Sequence, residues 1–542
     1  MNDVLNIIVY HYHFLRGGVR SAILGSLEAL KRTRPEVLVR LRIITGRHDG
    51  ISSFVSQSPY PIDSVLVEAA LDYSDRVWTD EKSFCEERDG LAEKVLSWVG
   101  RESSIFWIHN CTLGKNPLVT ALWYRVVEIS YQSGLPHGFV YHIHDFAECG
   151  RIENLFRLRF CWQSDGLVDW YPCFPNVCYA VLSRADRDRL IRVGLDSSKV
   201  FWVPNVVFAT SADLEKVRGD SSKIFTAIAG FAERHGYVFN KKYPSWVMPV
   251  RLIRRKNVLE GLLLTQVYRE PRNLLITLNA TSAQEMPYAE TVQSVVRKLT
   301  YPAVIGFGDS LVGNVFTFDE LLTASEAVVT TSILEGFGFA FLEGLLRGIP
   351  LAGRDLPFIT NDFDPVGFPH SALYTNLLVP VAKADRERHL EVGLRLLKKL
   401  EEMMKPGDEA KERFSRRLME TYGSELVDFG SLMLDSQIRV CENARDVCYL
   451  SEIAEINSLP RPILGSPEGF AERVEAFLGP RAHVARLAKV FERAITWNET
   501  RAGDNETLSC QPDSFAQKIF ETFLDPIYFR PLFGSCGVIG ER

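Results

Sequence analysis

The segment TTSILEGFGFAFLEGLLRGIP, residues 330–350, sets the pattern for the rest of the chain. The apolar run Ala327-Val328-Val329 enters it as the tail of a strand, a loop carries Glu335-Gly336-Phe337-Gly338, and a helix follows whose first turns hold Glu343. Glycines let backbone amides approach a ligand closely, and the amides and dipole at a helix start favour phosphate. Phosphate repels carboxylates, so Glu335 and Glu343 are expected to face hydroxyl groups of the same ligand. A molecule that offers both a diphosphate and hydroxyls is a nucleotide sugar. The plainer alternative is a buried α/β turn with two solvated acids.

At 542 residues the chain exceeds one hydrophobic core, and its length corresponds to roughly three to four domains. A hydrophobic fraction of 46% beside a charged fraction of 24% describes an ordinary soluble globular protein, for which disorder is not the default. The net charge of -6 argues against nonspecific nucleic-acid binding, so basic residues that converge do so for a local anion. Ten cysteines include no C-x-x-C pair. The closest pairs, Cys173/Cys178 and Cys441/Cys448, lack a repeated spacing or a partner histidine, so reduced thiols and no metal site are expected. No stretch approaches the ~20 apolar residues of a membrane span. No basic region precedes an apolar run at the N-terminus. A cytoplasmic location without an integral membrane segment is the expectation.

Apolar runs and helical periodicity alternate along the first half. Leu5–Tyr10, Val37–Thr45, Ser104–His109, Gly138–Ile143, Val177–Leu182 and Val200–Pro204 read as strands, with helical patterns after Gly17-Gly18 and over Leu118–Ser130. Ser183 is placed to cap a helix, with Asp186 at the box position. Such alternation implies a parallel sheet covered by helices, and ligands bind outside the carboxyl ends of its strands. That rule selects His109 and Asn110 after one strand and His142, His144 and Asp145 after the next, while Gly17 and Gly18 between the first strand and its helix form either a phosphate-approach loop or only a tight turn. Glu148 and Arg151 beyond them are either acceptor contacts or a loop ion pair.

The second half repeats the scheme. Strands read over Trp246–Val250, Leu274–Leu278, Ala303–Phe307 and Ala327–Thr331, helices over Tyr288–Leu299 and Phe318–Ser325, and Leu351-Ala352-Gly353 ends the sheet. Arg251 stands at a strand end. Asn257 with Glu260 marks a helix start that fixes Lys256 just ahead of it, so Arg251 and Lys256 can converge on one anion. Arg254 and Arg255 read as a solvated turn. The polar stretch from Ala209 to Tyr243 reads as an insertion near a hinge. Beyond Ala384 the pattern is charged and helical, with a packing stripe of Leu390, Leu394, Leu397 and Leu400, and the tail over Phe515–Phe533 is rich in aromatics.

These motifs together resemble the retaining GT-B glycosyltransferases of the family 4 type, related to glycogen synthases. The resemblance rests on E-G-F-G-F-A-F-L-E with G-I-P after it, on R-x-x-x-x-K at Arg251 and Lys256, on the glycine pair, and on H-D at His144; it covers about residues 1–380. It implies two Rossmann-like doubly wound parallel-sheet domains facing a cleft, residues 1–205 and 206–384, plus a mostly helical extension over 385–542. It further implies transfer of a sugar from a nucleotide diphosphate sugar to an acceptor hydroxyl with retention. By the same resemblance Arg251 and Lys256 hold the pyrophosphate, Glu335 the donor sugar and Glu343 the ribose, while His144 contacts donor or acceptor. Gly17, Gly18, Gly336, Phe337 and Gly338 complete the donor site, and no cofactor or metal is needed. A retaining sugar phosphorylase, an epimerase of the same plan and a non-catalytic nucleotide-sugar-binding protein are the competing readings. The donor base, the sugar, the acceptor and the oligomeric state are set by features this pattern does not encode.

Overall fold

The computed structural model describes residues 4–158, 170–209, 220–268, 270–282, 284–460, 462, 466–497 and 512–523. The chain divides into two compact units. One comprises Met1–Phe208, Lys399–Lys411 and Glu475–Phe529; the other comprises Ala209–Lys398, Glu412–Val474 and Arg530–Arg542.

The first unit is built on seven parallel strands: β1 (Val4–Tyr10), β2 (Leu38–Thr45), β3 (Ile62–Val67), β4 (Ser104–His109), β5 (His137–Ile143), β6 (Val177–Val181) and β7 (Val200–Trp202). They lie in the order β3-β2-β1-β4-β5-β6-β7. Strands β1, β4 and β5 are buried on both faces, which is why they read as unbroken apolar runs. The half-exposed β3, IDSVLV, lacks that run and gives no comparable signal. Helix Gly18–Thr33 buries Ile23, Leu27 and Leu30 on this sheet's core. Helix Pro480–Ile495 returns to the same core through Val484, Leu487, Val490 and Phe491. His483 anchors it, one ring nitrogen 2.9 Å from the Pro204 carbonyl and the other 2.9 Å from Ser26 Oγ.

The second unit holds six parallel strands: β8 (Ser245–Arg251), β9 (Asn273–Leu278), β10 (Ala303–Ile305), β11 (Ala327–Thr330), β12 (Leu351–Arg354) and β13 (Leu373–Tyr374), ordered β10-β9-β8-β11-β12-β13. Both sheets thus follow the Rossmann order, with the direction of winding reversing between β1 and β4 and again between β8 and β11. The sheet does not end at residues 351–353 as the sequence suggested, because the two-residue β13 pairs with Gly353 and Arg354. Within 209–243, residues 210–219 lie outside the described set; Ser221–His235 forms a helix whose start is capped by Asp220, which accepts from the amides of Ser222 and Lys223.

Among the described residues the C-terminal region is mostly helical, with one antiparallel pair, β14 (Leu378–Pro380) and β15 (Leu426–Asp428). Helix Lys383–Met404 buries His389, Val392, Leu396, Leu397 and Leu400. Leu394 is 37% exposed, so the packing stripe is rotated from the one read off the leucines alone. Of the aromatic tail, residues 524–533 lie outside the described set. Phe523 is buried, its ring 5.0 Å from that of Phe146. Among the described residues no helix is long and apolar enough to cross a membrane.

Candidate active site

At the β8/β11 switch point two loops are stitched together. The Thr331 hydroxyl faces the carbonyls of Lys256 (3.1 Å) and Asn257 (3.0 Å), and the Ile333 amide donates to Arg255 O at 2.9 Å. Arg255 Nη1 donates to Leu334 O at 3.0 Å and to Glu335 Oε2 at 2.9 Å, while Lys256 Nζ donates to Glu335 Oε1. Burial alone would push the Glu335 carboxyl up. Lys256 and then Arg255 outweigh it and hold the group below the usual carboxylate range. Glu335 is therefore an anion fixed by two cations.

Arg254 and Arg255 are not a solvated turn. Arg254 is buried and donates to Leu432 O at 2.8 Å, and Arg255 is part of the Glu335 cluster. The turn Arg254–Lys256 is a 3-10 helix, which swings successive side chains to different sides of the backbone. Arg251 goes elsewhere and donates to Thr281 Oγ1. Just before it, β8 slips register between Met248 and Arg251, where Pro249 cannot donate to the ladder.

Asn257 does precede helix Val258–Val267, but its side chain makes no cap bond and its φ is +50°. Its amide instead donates to Glu260 Oε2 at 2.6 Å. Glu260 forms a buried cluster with Arg354 (2.9 and 2.7 Å) and Tyr374 (2.7 Å), and Arg354 also meets Asp428 at 2.7 Å. This cluster sits directly behind the Lys256 loop, and the sequence reading did not anticipate it.

The glycine loop enters helix Phe339–Glu343 through Gly338, whose φ is +90°. A Cβ there would come within 2.7 Å of Phe341 Cδ2 and 2.9 Å of Ile359 Cγ2, so glycine is required by packing as well as by conformation. Phe337 is buried, with Phe339 at 4.8 Å and Phe363 at 5.6 Å between ring centres. Burial pushes the Glu343 carboxyl up, and nearby Arg347 and Lys256 offset only part of that. Glu343 thus shares the Lys256 neighbourhood with Glu335.

Beside the β1/β4 switch point of the other sheet, at the ends of β4 and β5, the chemistry is neutral. His109 and His142 are buried at the ends of β4 and β5, and His144 is 7% exposed. Trp107 Nε1 donates to His142 Nδ1 at 3.0 Å, which places that ring's proton on Nε2. His109 Nδ1 and His144 Nε2 lie 2.9 Å apart and share one proton. His109 Nε2 meets no partner among the described residues. A buried N–H without an acceptor is rarer than a bare lone pair, so His109 carries its proton on Nδ1 and donates to His144. His144 then holds its own proton on Nδ1.

Burial, followed by repulsion between the rings, keeps His109 and His142 uncharged, and burial with nearby His11 lowers His144 to about 3. The ligand atoms of the three lie within 4.8 Å of one another, a spacing that invites a metal. Two of their three lone pairs are already engaged, His142 Nδ1 by Trp107 and His144 Nε2 by His109, and that of His109 Nε2 is left bare. The rings satisfy one another rather than presenting three lone pairs to an ion.

Asn110, with φ +56°, accepts the amides of His144 (2.7 Å) and Asp145 (3.2 Å) on its side-chain oxygen, and so shapes the strand end. Asp145 pairs with Arg151 at 3.1 Å. Glu148 is fully buried and accepts from Trp170 (2.9 Å) and Tyr171 (2.8 Å). Burial raises its pKa, and the carboxyl is enclosed by the protein rather than presented to an acceptor. Gly17 and Gly18 start helix Gly18–Thr33, and a Cβ on Gly18 would meet nothing within 4 Å.

No family model matches this chain. The mannosylglucosyl-3-phosphoglycerate synthase of Petrotoga mobilis (strain DSM 10674 / SJ95) is 27% identical over 457 residues, covering 83% of each chain. Among solved structures, a glycosyltransferase from Rickettsia africae ESF-5 aligns over 91% of this chain and 98% of its own with 11% identity and a TM-score of 0.48. Anabaena HepE in complex with UDP aligns over 90% and 99% with 12% identity and a TM-score of 0.45.

Proposed function

We propose that this chain is a glycosyltransferase that moves a sugar from a nucleoside diphosphate sugar to a hydroxyl of a small phosphorylated acceptor, with retention at the anomeric carbon. The observation that carries the reading is the meeting of Arg255 and Lys256 with Glu335 at the β8/β11 switch point. Two cations thus converge where an α/β sheet binds its ligands. The acceptor class is supported by the Petrotoga relative, whose name joins two sugars to a phosphoglycerate.

In this reading the bond from the anomeric carbon to the diphosphate oxygen breaks, with its electron pair passing to the diphosphate. The acceptor oxygen bonds to the same carbon on the same face, and its proton goes to the departing phosphate. Arg255 and Lys256 stabilise the growing negative charge, and the amides near Gly336 and Gly338 add to them. Glu335 fixes both cations and takes a donor-sugar hydroxyl, Glu343 takes the ribose, and the Nδ1–H of His144 donates to a sugar hydroxyl or phosphate oxygen. The chain's own cations meet the diphosphate charge, so no metal enters the scheme. Free cysteines at all seven described positions fit a reducing compartment such as the cytoplasm.

The test is turnover. UDP- and GDP-sugars are incubated with 3-phosphoglycerate and its glycosides, and the anomeric configuration of the product is read by proton NMR. A new glycoside with the donor's configuration is expected. Sugar release that needs inorganic phosphate and no nucleotide would replace the reading with a phosphorylase, and donor binding without turnover on any acceptor would replace it with a binding protein.

A further inference from the structure

Tyr73 lies on the loop after β3, at the carboxyl end of the first sheet. The loop is pinned on both sides of it: Asn116 Nδ2 donates to Asp72 O at 2.7 Å, and the Ser74 amide donates to Lys115 O at 3.2 Å. The ring stands 4.9 Å from that of Tyr12 and edge-on to His13 at 5.0 Å, yet remains 40% exposed. One exposed ring is ordinary. The setting of its hydroxyl is not.

That hydroxyl meets no hydrogen-bond partner among the described residues. Burial, the dominant effect, pushes the phenol up to about 12, so it is an O–H donor throughout the physiological range. Among the charges that act on it Arg151 is the strongest, ahead of Asp145, Asp72 and Arg47. Both carboxylates are engaged: Asp145 by Arg151 at 3.1 Å, and Asp72 by Arg47 at 2.6 Å and by the amide of Tyr73 at 2.7 Å. Arg151 Nε is buried and meets no partner among the described residues either. The Lys115 ammonium stands 5.6 Å from the centre of the Tyr73 ring. Two donors without acceptors therefore sit in one charged cluster, with an ammonium beside them. Donors left in that state cost stability, and one oxyanion would satisfy both with charge-assisted bonds.

We infer that Tyr73, with Arg151 and Lys115, binds the phosphate monoester of the acceptor. The phenol O–H and the Arg151 Nε–H each donate to a phosphate oxygen, and Lys115 adds its charge. Donors from three residues suit a tetrahedral group better than a planar carboxylate, which offers only two oxygens. The donor's diphosphate has its own cations, Arg255 and Lys256, at the end of the other sheet. That the phosphate is the acceptor's rests on the glycosyltransferase reading; the anion site itself does not.

Calorimetric titration of the full chain, without turnover, tests this. The probes are inorganic phosphate, glycerol 3-phosphate, glycerate and UDP, each against wild type, Tyr73→Phe and Arg151→Lys, the last of which keeps a cation for Asp145 but lacks the Nε–H. Wild type is expected to bind phosphate and glycerol 3-phosphate, and glycerate at least tenfold more weakly. Tyr73→Phe should bind the monoester about tenfold more weakly than wild type, Arg151→Lys at least fivefold, and both should bind UDP within twofold of it. Without ligand, Tyr73→Phe should melt with wild type, since its hydroxyl holds nothing in the protein; a lower melting temperature would show that the hydroxyl is already bonded internally and would count against the site. Equal monoester binding by wild type and Tyr73→Phe, or none by wild type, would overturn the site, and preference for glycerate would overturn the phosphate assignment. Loss of UDP with the monoester kept in Tyr73→Phe would overturn the acceptor assignment. Monoester binding that follows Tyr73 in a chain that binds no UDP would support the anion site and count against the glycosyltransferase reading. Hydrogen exchange on wild type covers a variant that fails to fold: glycerol 3-phosphate should slow the amides of residues 73–76, and no slowing there sinks the proposal.

Discussion

Two strand-end sites in sheets of the same strand order, one at the β8/β11 switch point and the other beside the β1/β4 switch point, are held by opposite means. At the end of β8 and β11, permanent charges grip one another: Arg255 and Lys256 on Glu335, with Glu260, Arg354 and Asp428 behind. At the end of β4 and β5, uncharged rings pass single hydrogen bonds, from Trp107 to His142 and from His109 to His144. A cluster of fixed ions suits a ligand whose charge grows during reaction, because its donors need no reorganisation. A chain of neutral imidazoles suits a ligand that must be oriented through hydroxyls, since each ring offers one donor and one acceptor whose order is set from behind.

Breaking the ionic side should cost most. Arg354→Met strands Glu260 and Asp428 in the interior, and is expected to destabilise the protein by about 3–5 kcal/mol in urea unfolding. A loss below ~1 kcal/mol would mean that water already reaches the cluster. Next, Lys256→Ala should lower kcat/KM by about 100-fold, the scale of losing one preorganised donor to developing charge. An unchanged rate would remove Lys256 from the reaction and with it the contrast drawn here. On the neutral side, His109→Phe should lower kcat by only about tenfold, as expected for one supporting hydrogen bond of ~1.4 kcal/mol. Its sharper mark is spectroscopic: nitrogen-15 NMR should find the His144 proton on Nδ1 in wild type and a shift toward Nε2 in the variant. The same tautomer in both would show that His109 does not set it.

The ionic side was the more legible of the two in the sequence. Glu335 and Lys256 are neighbours of glycine and helix-start signals that any α/β switch point needs, and the strands feeding them are buried on both faces and announce themselves as apolar runs. Arg255 was lost because a 3-10 turn breaks the periodicity by which charged neighbours are sorted into inside and outside. N-x-x-E reads as a helix start because it is a local signal, while the actual partner of Glu260, Arg354, lies 94 residues away. The tautomer chain was invisible for the same reason: His109 and His144 stand 35 residues apart, and only strand register brings them together. Local chemistry could be read in advance, and pairing across β-strand crossovers could not.

The smallest effect expected is a pH dependence whose sign differs between the two sides. His144 has its pKa lowered to about 3, chiefly by burial, so between that value and 6.5 the unfolded chain binds a proton that the folded chain refuses. Stability from this side is complete above pH 6.5 and falls as the pH drops toward 3. His370, after β12, is the counterpart in the second unit: burial would lower it, but its ring nitrogens lie 3.2 Å from Asp355 and 2.7 Å from Asp364, and the carboxylates win and raise it. Its contribution is complete below 6.5 and is lost as the pH rises through the folded value. His370→Gln should therefore lower the melting temperature more at pH 6 than at pH 8, by one or two degrees, because the pair is partly exposed and screened. A His144→Gln variant should do the opposite, losing less of its stability on acidification than wild type does. Parallel pH profiles for the two variants would mean that the surroundings of His144 and His370 are not the distinct environments their hydrogen bonds describe.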